Sequence, residues 1–155
     1  MLLAAGCDHG KRRTQPPPPR HESFLVLDRE QQRLVRDYEP VSSALTGYEL
    51  AFRDWRLGRL SSAEIASRAA GYRTVVVAAR RRVARDKATG ETTRAKGLLV
   101  EALRARGRAL QARPGSRAYR SAWDRSLSAA RAGLTVLQDI RDRARLIPLP
   151  EDAVS

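Results

Sequence analysis

The chain has 155 residues, 42% of them hydrophobic and only 5% aromatic, which gives one domain with a core filled by Ala, Leu and Val and no large internal cavity. No run approaches the roughly 18 apolar residues that a membrane-spanning helix requires. A net charge of +13 directs attention to anionic partners, and the single cysteine, Cys7, excludes an internal disulfide.

The chain opens Met1-Leu2-Leu3-Ala4-Ala5-Gly6-Cys7 and turns polar at once with Asp8-His9-Gly10-Lys11-Arg12-Arg13. An apolar run that ends in small residues and then Cys resembles a bacterial lipobox, carried here by Leu3-Ala4-Ala5-Gly6-Cys7. With the Arg- and Ala-rich composition, it resembles a lipoprotein of actinobacterial type. The resemblance implies that residues 1–7 are the remnant of a signal peptide. Cys7 would then receive the lipid and become the mature amino terminus. A signal peptide needs a basic start and about 7–15 apolar residues before its cleavage site. Only six residues precede Cys7 and none is basic, so the resemblance also implies a start upstream of Met1.

Residues 8–21 contain Pro16 to Pro19 and read as a disordered, Pro-rich tether, extended at roughly 3.1 Å per residue. Lys11, Arg12 and Arg13 would then lie beside a bilayer surface. Basic residues there contribute about 1 kcal/mol each against anionic lipid.

From residue 22 to 147 the pattern is helical. Apolar residues recur at three- and four-residue steps through Leu27, Leu34, Tyr38, Val41, Leu45, Tyr48, Phe52 and Trp55, interrupted at Gln31. Pro40 predicts a kink or a restart near Asp37. Gly58 suits a left-handed cap, and Ser61 with Glu64 forms a capping box that opens a second helix, with Leu60 and Ile65 as its hydrophobic staple. That helix continues through Ala69, Tyr72, Val76, Ala79 and Val83, then fades over residues 86–90.

A third segment, about Glu91 to Arg113, presents Ala95, Leu99, Ala102 and Ala109, widened by Leu98, Leu103 and Leu110. Pro114-Gly115-Ser116 breaks it. A fourth uses Trp123, Leu127, Ala130, Leu134, Leu137, Ile140, Ala144 and Ile147. Pro148 and Pro150 stop it, leaving 148–155 as a disordered tail. Short connections predict an all-α, antiparallel up-down-up-down four-helix bundle. The alternative is a pair of helical hairpins that completes its core as a homodimer.

The two histidines, His9 and His21, precede the predicted helices. With no Glu-x-x-His or His-Glu-x-x-His motif, ferritin-like di-iron and zinc-hydrolase sites are excluded, and one cysteine cannot supply a haem-attachment motif. No phosphate loop is present either. The expectation is a non-enzymatic protein with no cofactor and no metal.

The charge is uneven. Residues 22–57 hold five Arg against seven acids, whereas 65–113 hold 13 basic residues against Asp86, Glu91 and Glu101. Candidate contacts to an anionic partner are Arg68, Arg73, Arg80, Arg81, Arg82 and Arg85. Three readings stand side by side: a solvated arginine face partly paired with the acidic first helix, a surface for anionic lipid or envelope polymer, and a nucleic-acid surface. The aromatics fall on the apolar stripes rather than among the arginines, which disfavours base stacking. Only three of the 30 basic residues are Lys, a bias that a GC-rich genome also produces. The composite expectation is a lipid-anchored, extracytoplasmic interaction or scaffold module. The alternative is a cytosolic basic helical protein that binds nucleic acid or a helical protein partner.

Overall fold

The computed structural model describes the backbone of residues 21–146 and the side chains of residues 26–146. Four α-helices make up this part of the chain: α1 (His21–Arg56), α2 (Ser62–Arg85), α3 (Gly90–Ala109) and α4 (Arg117–Arg145). The connections, residues 57–61, 86–89 and 110–116, are too short to cross the bundle, so successive helices run antiparallel in up-down-up-down order. Cys7, residues 8–20 of the expected tether and the tail 148–155 lie outside the described residues. His21, expected in the tether, is instead the first residue of α1.

α1 passes through Pro40 as one element, with no second start near Asp37. Proline withdraws one backbone donor, but the stripe on both sides of it is anchored: Leu34, Tyr38, Val41 and Tyr48 are all buried. Tertiary packing outweighs the lost hydrogen bond. Gln31, the interruption in the stripe, is buried with its apolar neighbours, and so is the adjacent Glu30.

α2 follows its pattern closely. Ile65, Ala69, Tyr72, Val76, Ala79 and Val83 are its buried residues. The Glu64 N–H donates to Ser61 Oγ at 3.2 Å, and the Ser61 N–H donates to Glu64 Oε2 at 2.7 Å, completing the capping box. The Ser61 backbone N–H, and with it the Ser61 hydroxyl, holds the Glu64 carboxyl below its usual range. The turn before it uses Gly58 at φ 71°, a left-handed conformation that glycine adopts without steric penalty.

α3 ends at Ala109, four residues earlier than expected. Leu110 closes it, with its N–H on the Arg106 carbonyl, and a tight turn leads to Pro114. This helix, like α1, packs against all three others, whereas α2 and α4 stand apart across the diagonal. Two of its faces are therefore buried, and Ala102, Leu103, Ala105 and Arg106 are all enclosed.

α4 departs most from expectation. Ser116 caps it, accepting the Tyr119 N–H at 3.1 Å. The helix is rotated so that Ser126, Ala129, Ala130 and Gly133 are buried, which leaves Leu127 and Leu134, expected in the core, 40% and 37% exposed. Small residues win the interior position because α3 and α4 pack more closely than any other pair. A Cβ on Gly133 would lie 3.1 Å from Leu99 Cδ2 and 3.2 Å from Leu98 Cβ. The space above Gly71 of α2, by contrast, is open.

Two substitutions test this packing by thermal or denaturant unfolding. Gly133→Val is expected to destabilise the bundle by about 2 kcal/mol, because it forces α3 and α4 apart. Gly71→Ala is expected to stabilise it by about 0.5–1 kcal/mol through helix propensity alone.

Candidate functional site

Arg68, Arg73, Arg81, Arg82 and Arg85 are exposed on α2, and Arg80 is half-buried. At about 1.5 Å per residue, Arg68 stands roughly 25 Å from Arg85 along the helix, so the six do not form one patch. Arg80, Arg81, Arg82 and Arg85 do share the last two turns, and Arg81 and Arg85 are neighbours one turn apart. Among the described residues the ion pairs are Arg36–Asp37, Arg59–Asp54, Arg125–Glu101, Arg141–Asp142 and Arg143–Glu91. None engages an α2 arginine. Among the described residues the pairing of the arginine face with the acidic first helix is not seen: Asp37 and Asp54 pair within or just beyond α1, and Glu30 turns inward.

Glu30 reaches α3 instead. Its Oε2 accepts the Thr89 backbone N–H at 2.8 Å, the Thr89 hydroxyl at 3.1 Å and the Thr92 hydroxyl at 2.5 Å. Thr89 is the residue that begins α3, and the Thr92 hydroxyl also accepts its N–H at 2.9 Å. A carboxylate from α1 thus meets the unpaired donors and the positive dipole end of α3.

The most unusual group in the bundle is Arg106. It is 2% exposed, the largest of the fully enclosed side chains. Nε donates to Ser126 Oγ of α4 at 2.8 Å, and Nη1 donates to the Tyr72 hydroxyl of α2 at 2.9 Å. Tyr72 in turn donates to the Val41 carbonyl of α1 at 3.2 Å. The guanidinium carbon lies 4.6 Å from the centre of the Trp123 ring, a cation–π contact. No carboxylate pairs with Arg106 among the described residues, and its Nη2 has no acceptor there. Burial raises the hydroxyl pKa of Tyr38 and Tyr72, and the charge of Arg106 works against that rise at both.

Next to Arg106 lies an aromatic layer. Phe52 stacks on Tyr119 at 5.2 Å, Tyr119 on Trp123 at 5.4 Å and Tyr48 on Tyr72 at 5.2 Å. A broad groove of about 1220 Å³ runs along these rings between α1 and α4, edged by Arg53, Arg56 and Arg120 as well as Glu49 and Asp124. The ring faces are already stacked on one another, which leaves little of them to offer a ligand. A second groove between the same two helices, about 530 Å³, includes Arg106 in its lining.

Arg106 was the residue that sequence reasoning passed over. The signal lies in the stripe itself: Ala95, Leu99, Ala102, Arg106 and Ala109 keep alternating four- and three-residue steps, so Arg106 occupies a seam position. Gln31 does the same between Leu27 and Leu34. Among the described residues no three of His, Cys, Asp and Glu gather as metal ligands, and no helix is long and apolar enough to cross a membrane. No family model matches the chain, and neither a curated protein nor a solved structure is similar to it.

Two predictions follow the polar groups. Arg106→Ala is expected to cost about 2–4 kcal/mol by opening a cavity. Arg106→Met keeps the volume and removes the buried charge, so it is expected to unfold within about 1 kcal/mol of the parent or above it. A loss as large as that of the alanine variant would make the guanidinium a structural requirement.

The second concerns Asp86, at the carboxyl end of α2. Burial and the nearby charge of Asp37 hold its carboxyl above the usual range, and its Oδ2 is enclosed without a hydrogen-bond partner. The folded state therefore disfavours ionised Asp86, and this penalty fades as pH falls through the raised value. Asp86→Asn is expected to raise Tm by about 2 °C at pH 7. The gap to the parent is expected to close below about pH 4.

Proposed function

We propose that the protein is a non-enzymatic helical interaction module, tethered to a membrane by lipid on Cys7 and presenting its basic hairpin end to an anionic surface. One observation carries this reading. In an antiparallel bundle, the start of α1 and the end of α2 lie at the same pole. The point at which residues 1–20 join the bundle is therefore the pole that bears Arg80, Arg81, Arg82 and Arg85. The contact of Glu30 with Thr89 fixes that neighbourhood directly.

A tether at Cys7 would bring this pole, rather than the α1–α2 turn, toward the bilayer. These arginines would then add to the anchor about 1 kcal/mol each near anionic headgroups. A single acyl chain holds a protein only marginally, whereas a lipidated cysteine carrying two or three chains anchors stably, and the basic patch would orient the bundle on that anchor. Lys11, Arg12 and Arg13, between Cys7 and the bundle, supply the same charge. The extracytoplasmic side follows from the lipobox resemblance. An anionic envelope polymer offers the same surface chemistry.

The test has two arms. Expressed from a reading frame that includes the codons upstream of Met1, the protein is expected in the detergent phase on phase separation, and Cys7→Ala is expected to move it to the aqueous phase. The unlipidated chain is expected to co-sediment with vesicles containing phosphatidylglycerol but not with pure phosphatidylcholine. Replacing Arg80, Arg81, Arg82 and Arg85 together by Gln is expected to weaken that binding at least tenfold. A partition indifferent to Cys7, or vesicle binding indifferent to the four arginines, rejects the proposal. Tighter, salt-dependent binding to duplex DNA than to the vesicles would favour the nucleic-acid reading instead.

A further inference from the structure

We infer that the smaller groove between α1 and α4 is a binding site for an apolar molecule with a single carboxylate, of the fatty-acid type, its anion held by Arg106. This site is independent of the lipid anchor and of the basic pole. The groove has a volume of about 530 Å³, within the range of roughly 300–1,000 Å³ common to small-molecule sites. Its walls include Leu45 of α1 and Leu127 and Leu134 of α4, and Arg106 reaches it from α3.

Both α4 leucines continue the apolar register of their helix, yet they remain 40% and 37% exposed. They line the groove instead of filling the interior. At the inner side stands a cation that is 2% exposed. Two of its nitrogens are occupied by neutral hydroxyls, and the third nitrogen, Nη2, has no acceptor among the described residues. The desolvation of this charge is already met in the folded protein. A carboxylate arriving beside it gains a charge-assisted hydrogen bond in surroundings of low dielectric.

The same features select the ligand. A nucleic-acid backbone or a bilayer surface cannot reach so enclosed a residue. A phosphate dianion would find donors in Ser42, Thr135 and Gln138 of the lining, but it would leave the leucine wall uncovered. A neutral hydrocarbon would leave the charge unanswered. An acyl carboxylate answers both parts, with its chain along Leu45, Leu127 and Leu134 and its head toward Arg106. Arg131, on the same groove and in no ion pair among the described residues, adds favourable long-range charge.

Octanoate is a suitable probe, titrated calorimetrically into the full chain below its micelle-forming concentration, with Trp emission followed in parallel because Trp123 touches Arg106. The expected result is one saturable site. 1-Octanol, which lacks the charge, is expected to bind about 10- to 100-fold more weakly, and octyltrimethylammonium not at all. Arg106→Met is expected to abolish the preference for octanoate over octanol. Leu134→Glu alters only a partly exposed wall, so the fold is retained, and it is expected to abolish octanoate binding and the emission change.

Absence of saturable octanoate binding to the parent chain overturns the proposal. So does equal affinity for acid and alcohol, or octanoate binding that persists in Leu134→Glu. A parent chain that sediments as a dimer and becomes monomeric in Leu134→Glu would assign the groove to a second copy of the chain and equally overturn it.

Discussion

A guanidinium sealed inside a small bundle without a carboxylate beside it is the constraint to which the rest of the structure answers. Removing such a charge from water is costly, and only fixed dipoles, π-electrons or a counter-ion offset the loss. In this protein the offset comes from every direction at once. Arg106 belongs to α3, Ser126 and Trp123 to α4 and Tyr72 to α2, while Tyr72 passes its own proton donor on to the Val41 carbonyl of α1. Every helix contributes to this set, α4 twice, so the position of any helix is coupled to that of the other three. A carboxylate partner would have tied α3 to one neighbour only.

The packing around Arg106 is consistent with that demand. α3 is enclosed on two faces, and it approaches α4 through Gly133, Ala129 and Ser126, where the absence of bulk lets the backbones come close. Close approach brings the Ser126 hydroxyl within reach of Nε. It also turns α4 so that its larger residues, Tyr119 and Trp123, meet Phe52 and Tyr48 of α1. The aromatic layer and the alanine seam are therefore two results of one rotation. The exposed leucines of the groove are a third.

How much of this the sequence discloses depends on the helix. α2 borders α1 and α3 only, so a single stripe describes it, and all six of its core positions can be read from spacing. α1 also reads well, apart from Gln31 and Glu30, where a polar residue looks like the end of a pattern and is in fact buried by a helix 59 residues away. α3 has two buried faces, and periodicity assumes one, so Ala105 escapes it, whereas Arg106 keeps the spacing of the stripe and is hidden by its charge. α4 misleads most. Hydrophobicity ranks Leu127 and Leu134 above Ser126 and Gly133, but the distance between backbones decides which residue faces inward, and that distance is a property of the partner helix. Chemistry is hardest to read, because in an arginine-rich chain an arginine at a stripe position looks like a break in the stripe rather than an interior residue.

The clasp between Glu30 and the beginning of α3 has a mechanical meaning as well. A displacement of α1 past α3 by one turn, about 5.4 Å, would take Leu34, Tyr38 and Val41 out of register with their neighbours. It would also draw the carboxylate of Glu30 off the Thr89 amide and both threonine hydroxyls. The contact therefore acts as a detent, setting how far α1 can travel past α3. Everything joined to the amino end of α1 inherits that fixed reference, and a pull applied through residues 1–20 would be resisted first by Glu30.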